Sequence, residues 1–367
     1  MIHTDPSKRH DFVLLFDVRS GNPNGDPDAD NQPRVDPATG RGIVTDVAIK
    51  RKIRNVIDML QPGSIFIQSE HTLNSLIAKG FADSGIAPVQ TPMGDEEVTE
   101  WFEENNPEGF SIEEGVLIYA GESAKRNDIQ QAIFEGLDDA DMATGLRTKL
   151  LGVAKALSES GGKKVAKSDR QTVRQRLCKD YYDIRMFGAV LSTGLNAGQV
   201  RGPMQLSPAI SKDRIRVLNL TLTRNARTTA ARMQTGDTEM GRKWAVPYAL
   251  YESHGFFSPI LAKQTGVSSD DLEAFWAAFH NDAYDLFTFD RSAARGEMRV
   301  CEVFIFSHAT ELGNAPAHRL FQLVSIAKNP EVSEPESCDD YSIDDAPQSG
   351  PLDALGFPGV TLTRLVG

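Results

Sequence analysis

The stretch that most constrains the fold runs from His10 to Leu60 and combines a strand, a turn-rich loop and a helix. Residues 10–19 are apolar in the middle and rich in strand formers, and residues 20–27 (SGNPNGDP) interrupt any regular element. Residues 43–60 then have helical periodicity, with Thr45 or Asp46 as the N-cap. The sequence therefore predicts a strand that ends beside a helix.

The predicted helix has one apolar side and one basic side. The apolar positions share one face of a helical wheel: Ile49, Ile53, Val56, Ile57 and Leu60. The polar positions lie opposite or at the borders: Arg51, Arg54 and Asn55, with Lys50 and Lys52 flanking them. This basic side is either an ordinary solvated surface or a seat for a phosphate backbone, and the helix alone leaves both interpretations open.

Charge is divided unevenly along the chain. The net charge is −12, yet residues 142–243 hold 20 Lys+Arg against 7 Asp+Glu, a balance of +13, which leaves −25 for the remainder. Residues 81–141 are strongly acidic, and residues 331–353 hold eight acidic side chains and no Lys or Arg. Such a division indicates a local anionic partner on an otherwise self-repelling body.

Composition excludes several classes of protein. No apolar run approaches the roughly 20 residues that a membrane helix requires, and the first ten residues lack the apolar core of a signal peptide. Cys178, Cys301 and Cys338 are few and far apart, which favours a reducing, cytoplasmic setting and offers no paired-cysteine metal site. We expect a soluble protein that uses no metal and no cofactor.

The order of the predicted elements is that of an α+β protein. Helices are predicted near residues 95–104, 127–137, 144–157, 168–191 and 270–284, and strands near 244–254 and 298–308. Residues 212–243 alternate at first and then become polar, which is typical of a hairpin with an exposed tip. We expect residues 331–353 to form a solvated or partly disordered segment.

The loop Asp26-Pro-Asp-Ala-Asp30 is the one candidate for metal chemistry. Its carboxylates have calcium-loop spacing, but Asn31 and Pro37 stand where that loop requires glycine and glutamate. Asp26, Asp28 and Asp30 could instead hold Mg²⁺ for phosphodiester cleavage, or act only as turn formers. The sequence contains no nucleophile elbow, dinucleotide fingerprint or RNP1-type signature, so we predict no catalytic residue.

Several longer motifs resemble one known family. They are DVRSGNPNGD at 17–26, PRVDP at 33–37, GIVTDV at 42–47, KRKIRN at 50–55, DIRMFGA at 183–189 and RGPMQ at 201–205. Together they resemble the backbone subunit of type I-C CRISPR Cascade, the Cas-seven family in its Csd-two form. The resemblance spans nearly the whole chain and is weakest at residues 85–130 and in the acidic tail.

The resemblance implies an RRM-like (ferredoxin-like) palm with a helical insertion and a projecting thumb hairpin. The implied divisions are 1–65 for the first part of the palm, 66–174 for the insertion, 175–210 for the second part of the palm, 211–243 for the thumb, 244–328 for the rest of the palm and 329–367 for the acidic C-terminal extension. Copies of the chain would stack as a helical filament along a crRNA and leave bases exposed to pair with target DNA. The other implied partners are Cas-five-type, Cas-eight-type and small Cas-eleven-type subunits.

A subunit that must hold any spacer should grip phosphate and sugar, because backbone contacts carry no sequence information. The predicted RNA-binding residues are Arg19, Asn22, Asn24, Lys50, Arg51, Arg54, Arg185, Arg201 and Gln205. Two alternatives stay open: Arg185 could pair with Asp183, and the asparagines could be turn formers. The thumb and base-wedge candidates are Met204, Arg224, Arg227, Arg232 and Met233, although methionine is more common in a core.

Overall fold

A large antiparallel sheet built around the first long strand dominates the fold. The computed structural model describes residues 1–135, 142–162, 164–191, 195–224, 239–289, 292, 294–343 and 346–366. The strands are β1 (His10–Gly21), β2 (Gly25–Asp26), β3 (Gln32–Pro33), β4 (Arg41–Val44), β5 (Val89–Pro92), β6 (Phe110–Glu113), β7 (Val116–Tyr119), β8 (Gly188–Leu191), β9 (Gly198–Arg201), β10 (Met204–Leu206), β11 (Ala209–Arg214), β12 (Leu218–Arg224), β13 (Glu239–Phe257), β14 (Glu297–His308), β15 (Ala327–Lys328), β16 (Tyr341–Ser342), β17 (Gly350–Pro351) and β18 (Val360–Val366).

A helix lies near each predicted position, and the described residues contain four further helices that were not predicted, at 73–83, 259–265, 286–289 and 317–321. They are α1 (Asp46–Leu60), α2 (Leu73–Asp83), α3 (Glu96–Asn105), α4 (Arg126–Phe134), α5 (Thr144–Glu159), α6 (Lys167–Asp180), α7 (Tyr182–Phe187), α8 (Pro259–Thr265), α9 (Ser269–Phe279), α10 (Leu286–Phe289) and α11 (Ala317–Phe321). The predicted N-cap Thr45 accepts a hydrogen bond from the backbone N–H of Ala48. Within the described ranges, no helix combines the length and apolar character that crossing a bilayer requires.

The contacts divide the chain into two units. Unit 1 contains Met1–Pro62, Met204–Lys263 and Val267–Gly367, and unit 2 contains Gly63–Pro203 and Gln264–Gly266. Residues 175–203, which the sequence assigns to the palm, therefore cluster with residues 63–174. The reason is apolar packing, because α6 and α7 continue one hydrophobic cluster with α2 through side chains such as Leu177 and Ile184.

Unit 1 is built on the sheet β17–β18–β14–β1–β13–β11–β4, in which neighbouring strands are antiparallel and β10 and β12 also pair with β13. One face of β1 packs aromatic side chains against the helices: Phe12 lies 5.1 Å from Trp276 of α9, and Phe16 lies 4.8 Å from Phe287 of α10, measured between ring centroids. Helix α1 buries its apolar face beside α9 and α10. The mixed content and the large antiparallel sheet agree with the predicted α+β class.

The other face of the sheet is covered by the C-terminal part of the chain. Val13 and Leu15 share a buried cluster with Leu320, Leu352 and Phe357. Within residues 331–353, which were expected to be solvated or partly disordered, Tyr341, Ala346 and Leu352 are buried, while most of the other described residues are exposed or half-buried. A few apolar residues between the acidic ones are enough to fix the segment on the sheet.

Unit 2 combines helices with two small sheets. The strands β5–β7–β6 form a three-stranded sheet and β8 pairs with β9. The predicted insertion at 66–174 is therefore not purely helical. Its second core packs the sheet residues Phe110 and Tyr119 against Phe102 of α3 and Leu150 of α5.

Candidate nucleic-acid interface

The turn after β1 is held by its own asparagines. Asn22 is buried and donates its Nδ2 hydrogen to the backbone oxygen of Asn31, 2.7 Å away. Asn24 accepts the backbone N–H of Thr45 at 2.9 Å and so ties the loop to the start of α1. Both predicted RNA-binding amides therefore brace the loop, as the turn-forming alternative requires, and Asn22 is too buried to reach a ligand without rearrangement.

The three aspartates of this loop do not converge on a common point. The Asp26 carboxylate caps its own turn by accepting the N–H of Asp28 at 3.2 Å, and it lies 3.4 Å from the guanidinium of Arg34. Asp28 and Asp30 are exposed. Across the described parts of the chain, none of these three joins a group of metal-ligating side chains. The geometry matches turn formation.

Helix α1 presents fewer cations to solvent than its pattern predicts. Arg51 is exposed, and Lys50 is half-buried with its Nζ 2.9 Å from the Asp46 carboxylate. Arg54, which the helical wheel places on the outer face, is buried with 6% of its surface exposed. Position 54 lies next to Lys50 and Ile57 on the wheel, and packing extends the buried face across that border.

A pair of arginines that the sequence analysis missed lies at the edge of the same sheet. Arg41 of β4 and Arg214 of β11 are directly opposite each other in the antiparallel register, and both side chains are exposed. Among the described residues, neither guanidinium makes an ion pair. Like charges at opposed positions repel, so the arrangement favours an anion that bridges them. Only the strand register reveals this pair, because the two residues are distant in sequence.

Three further candidates of unit 1 differ in accessibility. Arg19 is exposed but donates from Nε to the backbone oxygen of Glu336 at 3.1 Å. Gln205 is exposed on β10, whereas the neighbouring Met204 is fully buried. Met204 is therefore a core residue here, and the base-wedge alternative does not fit its position.

The two candidates of unit 2 have separate surroundings. Arg185 donates from Nη1 to the backbone oxygens of Cys178 and Lys179, at 2.6 and 3.1 Å, and so caps the C-terminal end of α6. Burial raises the pKa of the Cys178 thiol to about 11, although the charge of Arg185 opposes the shift. Arg201 is exposed on β9.

Asp183, the alternative partner of Arg185, has backbone partners of its own. Its carboxylate is buried and accepts the N–H groups of Phe66 and Ile67, at 2.8 and 3.1 Å. These bonds anchor the start of unit 2. The pairing of Asp183 with Arg185 stays a prediction beside them.

Part of the hairpin predicted at 211–243 is described as an antiparallel ladder. Leu218–Arg224 pairs with Glu239–Ala245, from Leu218 opposite Ala245 to Arg224 opposite Glu239. The tip, with Arg227, Arg232 and Met233, lies outside the described residues, and so does the side chain of Arg224. Leu220 and Leu222 are exposed on the first strand.

Comparison with known proteins assigns the family. A family model described as "CRISPR-associated protein Cas7" matches residues 8–345. The chain belongs to this family. The resemblance drawn from the motifs is thereby confirmed for the Cas7 family, and the type I-C form stays a prediction.

Individual relatives match either a short part of this chain or most of it at low sequence identity. A CRISPR-associated protein Cas7 from Haloferax volcanii is 44% identical over 64 residues, which is 17% of this chain and 18% of that protein. The chain thus spans less than a fifth of that relative in the match. Two solved chains, titled "CRISPR RNA-guided surveillance complex, pre-nicking" and "CRISPR RNA-guided surveillance complex", are 16% and 12% identical, with TM-scores of 0.43 and 0.36. Each match covers 81% of this chain, and it covers 78% and 75% of the respective solved chain.

Proposed function

We propose that this chain is a non-catalytic, crRNA-binding backbone subunit of a type I-C CRISPR Cascade complex. The observation that carries the proposal is the Cas7 family match from residue 8 to residue 345, which includes both stretches of motifs that resemble the type I-C form. In this proposal the sheet of unit 1 is an RRM-like palm and the β12–β13 hairpin is the thumb. Copies of the chain stack along the spacer together with Cas-five-type, Cas-eight-type and Cas-eleven-type subunits.

The proposed grip on RNA is electrostatic and indifferent to sequence. Arg41 and Arg214 offer two opposed guanidinium groups, and Arg51 offers an exposed cation on α1. Guanidinium groups bind phosphate oxygens through paired hydrogen bonds, which fix the strand without reading its bases. Arg19 can also contact the RNA if its guanidinium gives up the hydrogen bond to the backbone oxygen of Glu336 and donates to a phosphate oxygen instead.

A metal-dependent ribonuclease is the other function that the sequence allowed. Asp26 is engaged with its own turn and with Arg34, and in the described chain neither Asp28 nor Asp30 belongs to a group of three or more metal-ligating side chains. No observation favours cleavage over binding. Incubating the assembled complex with complementary RNA and Mg²⁺ tests it, because periodic cleavage abolished by Asp26→Asn would favour the nuclease.

The test of the main proposal is the nucleic acid that co-purifies with the chain. The chain is co-expressed with a type I-C repeat–spacer array and its partner subunits, and the RNA in the purified complex is sequenced. We expect spacer RNA with repeat-derived ends, bound equally well for unrelated spacers. A complex that assembles with no RNA, or with cellular RNA in proportion to its abundance, would contradict the proposal.

A double substitution tests whether Arg41 and Arg214 contact the RNA backbone. Arg41→Gln with Arg214→Gln removes two charges, so the slope of log affinity against log salt should become shallower by roughly 0.7 for each phosphate that is no longer neutralised. The reduction in affinity should be equal for unrelated spacer sequences. Lys263→Ala is the matched control, since this exposed cation pairs with Glu311 on another part of unit 1 and should leave the slope unchanged.

A further inference from the structure

Three metal-ligating side chains from separate segments of unit 1 meet beside the neighbouring strands β1 and β14. A carboxylate oxygen of Asp17 in β1, the Sγ of Cys301 in β14 and the Sγ of Cys338 all lie within 4.8 Å of one another. Cys338 begins a short 3₁₀ turn, Cys338–Asp340, in the acidic C-terminal segment. The sequence spacing predicted no paired-cysteine site, yet the fold brings these two distant cysteines together.

A β-bulge places Cys301 in this group. In the β1–β14 ladder Leu15 is opposite Glu302 and Phe16 is opposite Val300, so Cys301 is the extra residue that has no partner in the ladder. Beyond the bulge Asp17 is opposite Arg299. Bulges re-aim side chains and are over-represented next to functional sites. Here the bulge brings a thiol to the carboxylate of the neighbouring strand.

The donor set indicates which metal would fit. Two thiolates and one carboxylate suit Zn²⁺, whereas Mg²⁺ and Ca²⁺ require oxygen ligands alone. Ligand atoms around a tetrahedral Zn²⁺ lie about 3.3–3.8 Å apart. Small side-chain rotations would bring the two sulfur atoms and the carboxylate oxygen to these distances. The fourth position would be taken by solvent, because Cys301 and Cys338 are only half-buried.

The surroundings balance the charge of such a site. Two thiolates and a carboxylate around Zn²⁺ leave one negative charge. The Arg299 guanidinium supplies the opposite charge, with Nε 3.3 Å from Asp17 Oδ2 and Nη2 3.2 Å from Cys338 Sγ. The Tyr248 hydroxyl donates to Asp17 Oδ2 at 3.3 Å and orients the carboxylate. Partners of this kind fix the geometry of metal ligands.

We propose that Asp17, Cys301 and Cys338 form a zinc site that fastens the acidic C-terminal segment to the sheet. It joins the two strands at the centre of the sheet to the segment that also carries Glu336, whose backbone oxygen accepts from Arg19. Zinc would therefore hold this segment over the end of β1.

The test uses the full chain purified without a histidine tag, reduced with a phosphine and loaded with Zn²⁺ or Co²⁺ alone. We expect one Zn²⁺ per chain after desalting, measured by mass spectrometry of the metal. Co²⁺ should give the thiolate charge-transfer absorption of a cysteine-ligated site. Cys338→Ser and Asp17→Asn should each weaken binding about 10-fold or more. The matched control is Cys178→Ala, which removes the cysteine of unit 2 and should bind Zn²⁺ like the wild-type chain.

A local readout separates metal binding from misfolding. Protease Glu-C cleaves after glutamate, so it can cleave within Glu331–Glu336. Zn²⁺ should slow this cleavage in the wild-type chain. It should not slow the cleavage in Cys338→Ser, whose fold is checked by a circular dichroism spectrum equal to that of the wild-type chain. Three results would overturn the proposal. The first is less than one Zn²⁺ per wild-type chain, and the second is Zn²⁺ binding by Cys338→Ser as tight as that of the wild-type chain. The third is a Cys301–Cys338 disulfide that remains after treatment with the phosphine and excludes the metal.

Discussion

At the scale of single residues, Arg41 and Arg214 are like charges at directly opposed positions of β4 and β11. Their mutual repulsion across the strand pair is not offset by an ion pair with any described residue. A directly opposed pair of like charges destabilises a sheet by roughly 0.2–1 kcal/mol. A phosphate bound between the two guanidinium groups would relieve this repulsion.

The first prediction follows from that repulsion. Arg214→Gln should raise the free energy of unfolding of the RNA-free chain by a few tenths of a kcal/mol, while it weakens RNA binding. Denaturant titration and filter binding at several salt concentrations measure the two effects. Arg216→Gln is the control, because this exposed arginine lies outside the β4–β11 register. A lower free energy of unfolding in Arg214→Gln would show that the pair is not repulsive.

The second prediction concerns a histidine buried at the start of β1. Burial lowers the pKa of His10 from 6.5 to about 4, although its bond to the backbone oxygen of Asp5 opposes the shift. The charges of His3 and His308 also lower this pKa, and the ring's other nitrogen lies 2.9 Å from Ser307 Oγ. His10 is therefore neutral in the folded chain at pH 7.

The sign of the pH dependence follows from the two pKa values of His10. The unfolded chain binds the proton below pH 6.5 and the folded chain only near pH 4, so stability falls as the pH drops through that window. Between about pH 7 and pH 5 the His10 contribution should fall by about 2 kcal/mol. His10→Gln should show a correspondingly smaller pH dependence in urea unfolding. Identical pH profiles for the two chains would contradict the assignment.

The surroundings of the candidate site residues were only partly predictable from sequence. Exposed Arg51 and Arg201 follow the predicted pattern, because strongly polar side chains usually stay in solvent. Arg54 does not, since its burial depends on neighbours that are distant in sequence, whereas the burial of Met204 agrees with the alternative that methionine is more common in a core. The Asp17–Cys301–Cys338 group was invisible because its members are also distant in sequence.

At the scale of elements, Asp183 anchors the beginning of unit 2. It accepts backbone hydrogen bonds from Phe66 and Ile67, and also from Ile184 at 3.1 Å. Asp183→Ala would leave buried N–H groups without an acceptor, so the free energy of unfolding should fall by about 2–4 kcal/mol. Asp183→Asn keeps one acceptor and should be less destabilising. Urea unfolding monitored by circular dichroism measures the order.

A surface aspartate three residues earlier is the matched control. Asp180 pairs with Arg176 at the partly exposed end of α6. Exposed ion pairs contribute at most about 1 kcal/mol, so Asp180→Ala should be nearly neutral. If Asp183→Ala were no more destabilising than Asp180→Ala, the anchoring role would be wrong.

Elements were predictable where a strong local pattern coincided with tertiary packing. The strand at residue 10 is a continuous run of apolar strand formers, α1 has clear helical periodicity, and Thr45 supplies a recognisable cap. The strand Val360–Val366 was missed although it alternates, because it follows a long acidic stretch that suggested disorder. The three-stranded sheet of unit 2 was missed because its strands have only four residues each.

At the scale of the whole molecule, the division of charge bears on assembly. A chain with net charge −12 should repel its own copies in free solution, whereas the basic balance of residues 142–243 favours an anionic template. Binding to RNA would neutralise that region and allow copies to lie side by side. Under the proposed function, the template thus controls where the chain assembles.

The last prediction tests this template control. On RNAs of increasing length and unrelated sequence, the number of bound chains should rise in equal increments, because each copy neutralises the same number of phosphates. Mass photometry at low salt counts the copies, and higher salt should reduce occupancy on every RNA alike. Arg41→Gln with Arg214→Gln should need more protein to reach the same count without altering the increment. A constant number of chains per RNA, whatever its length, would instead show that the chain binds an end or a fixed site, and the backbone role would fail.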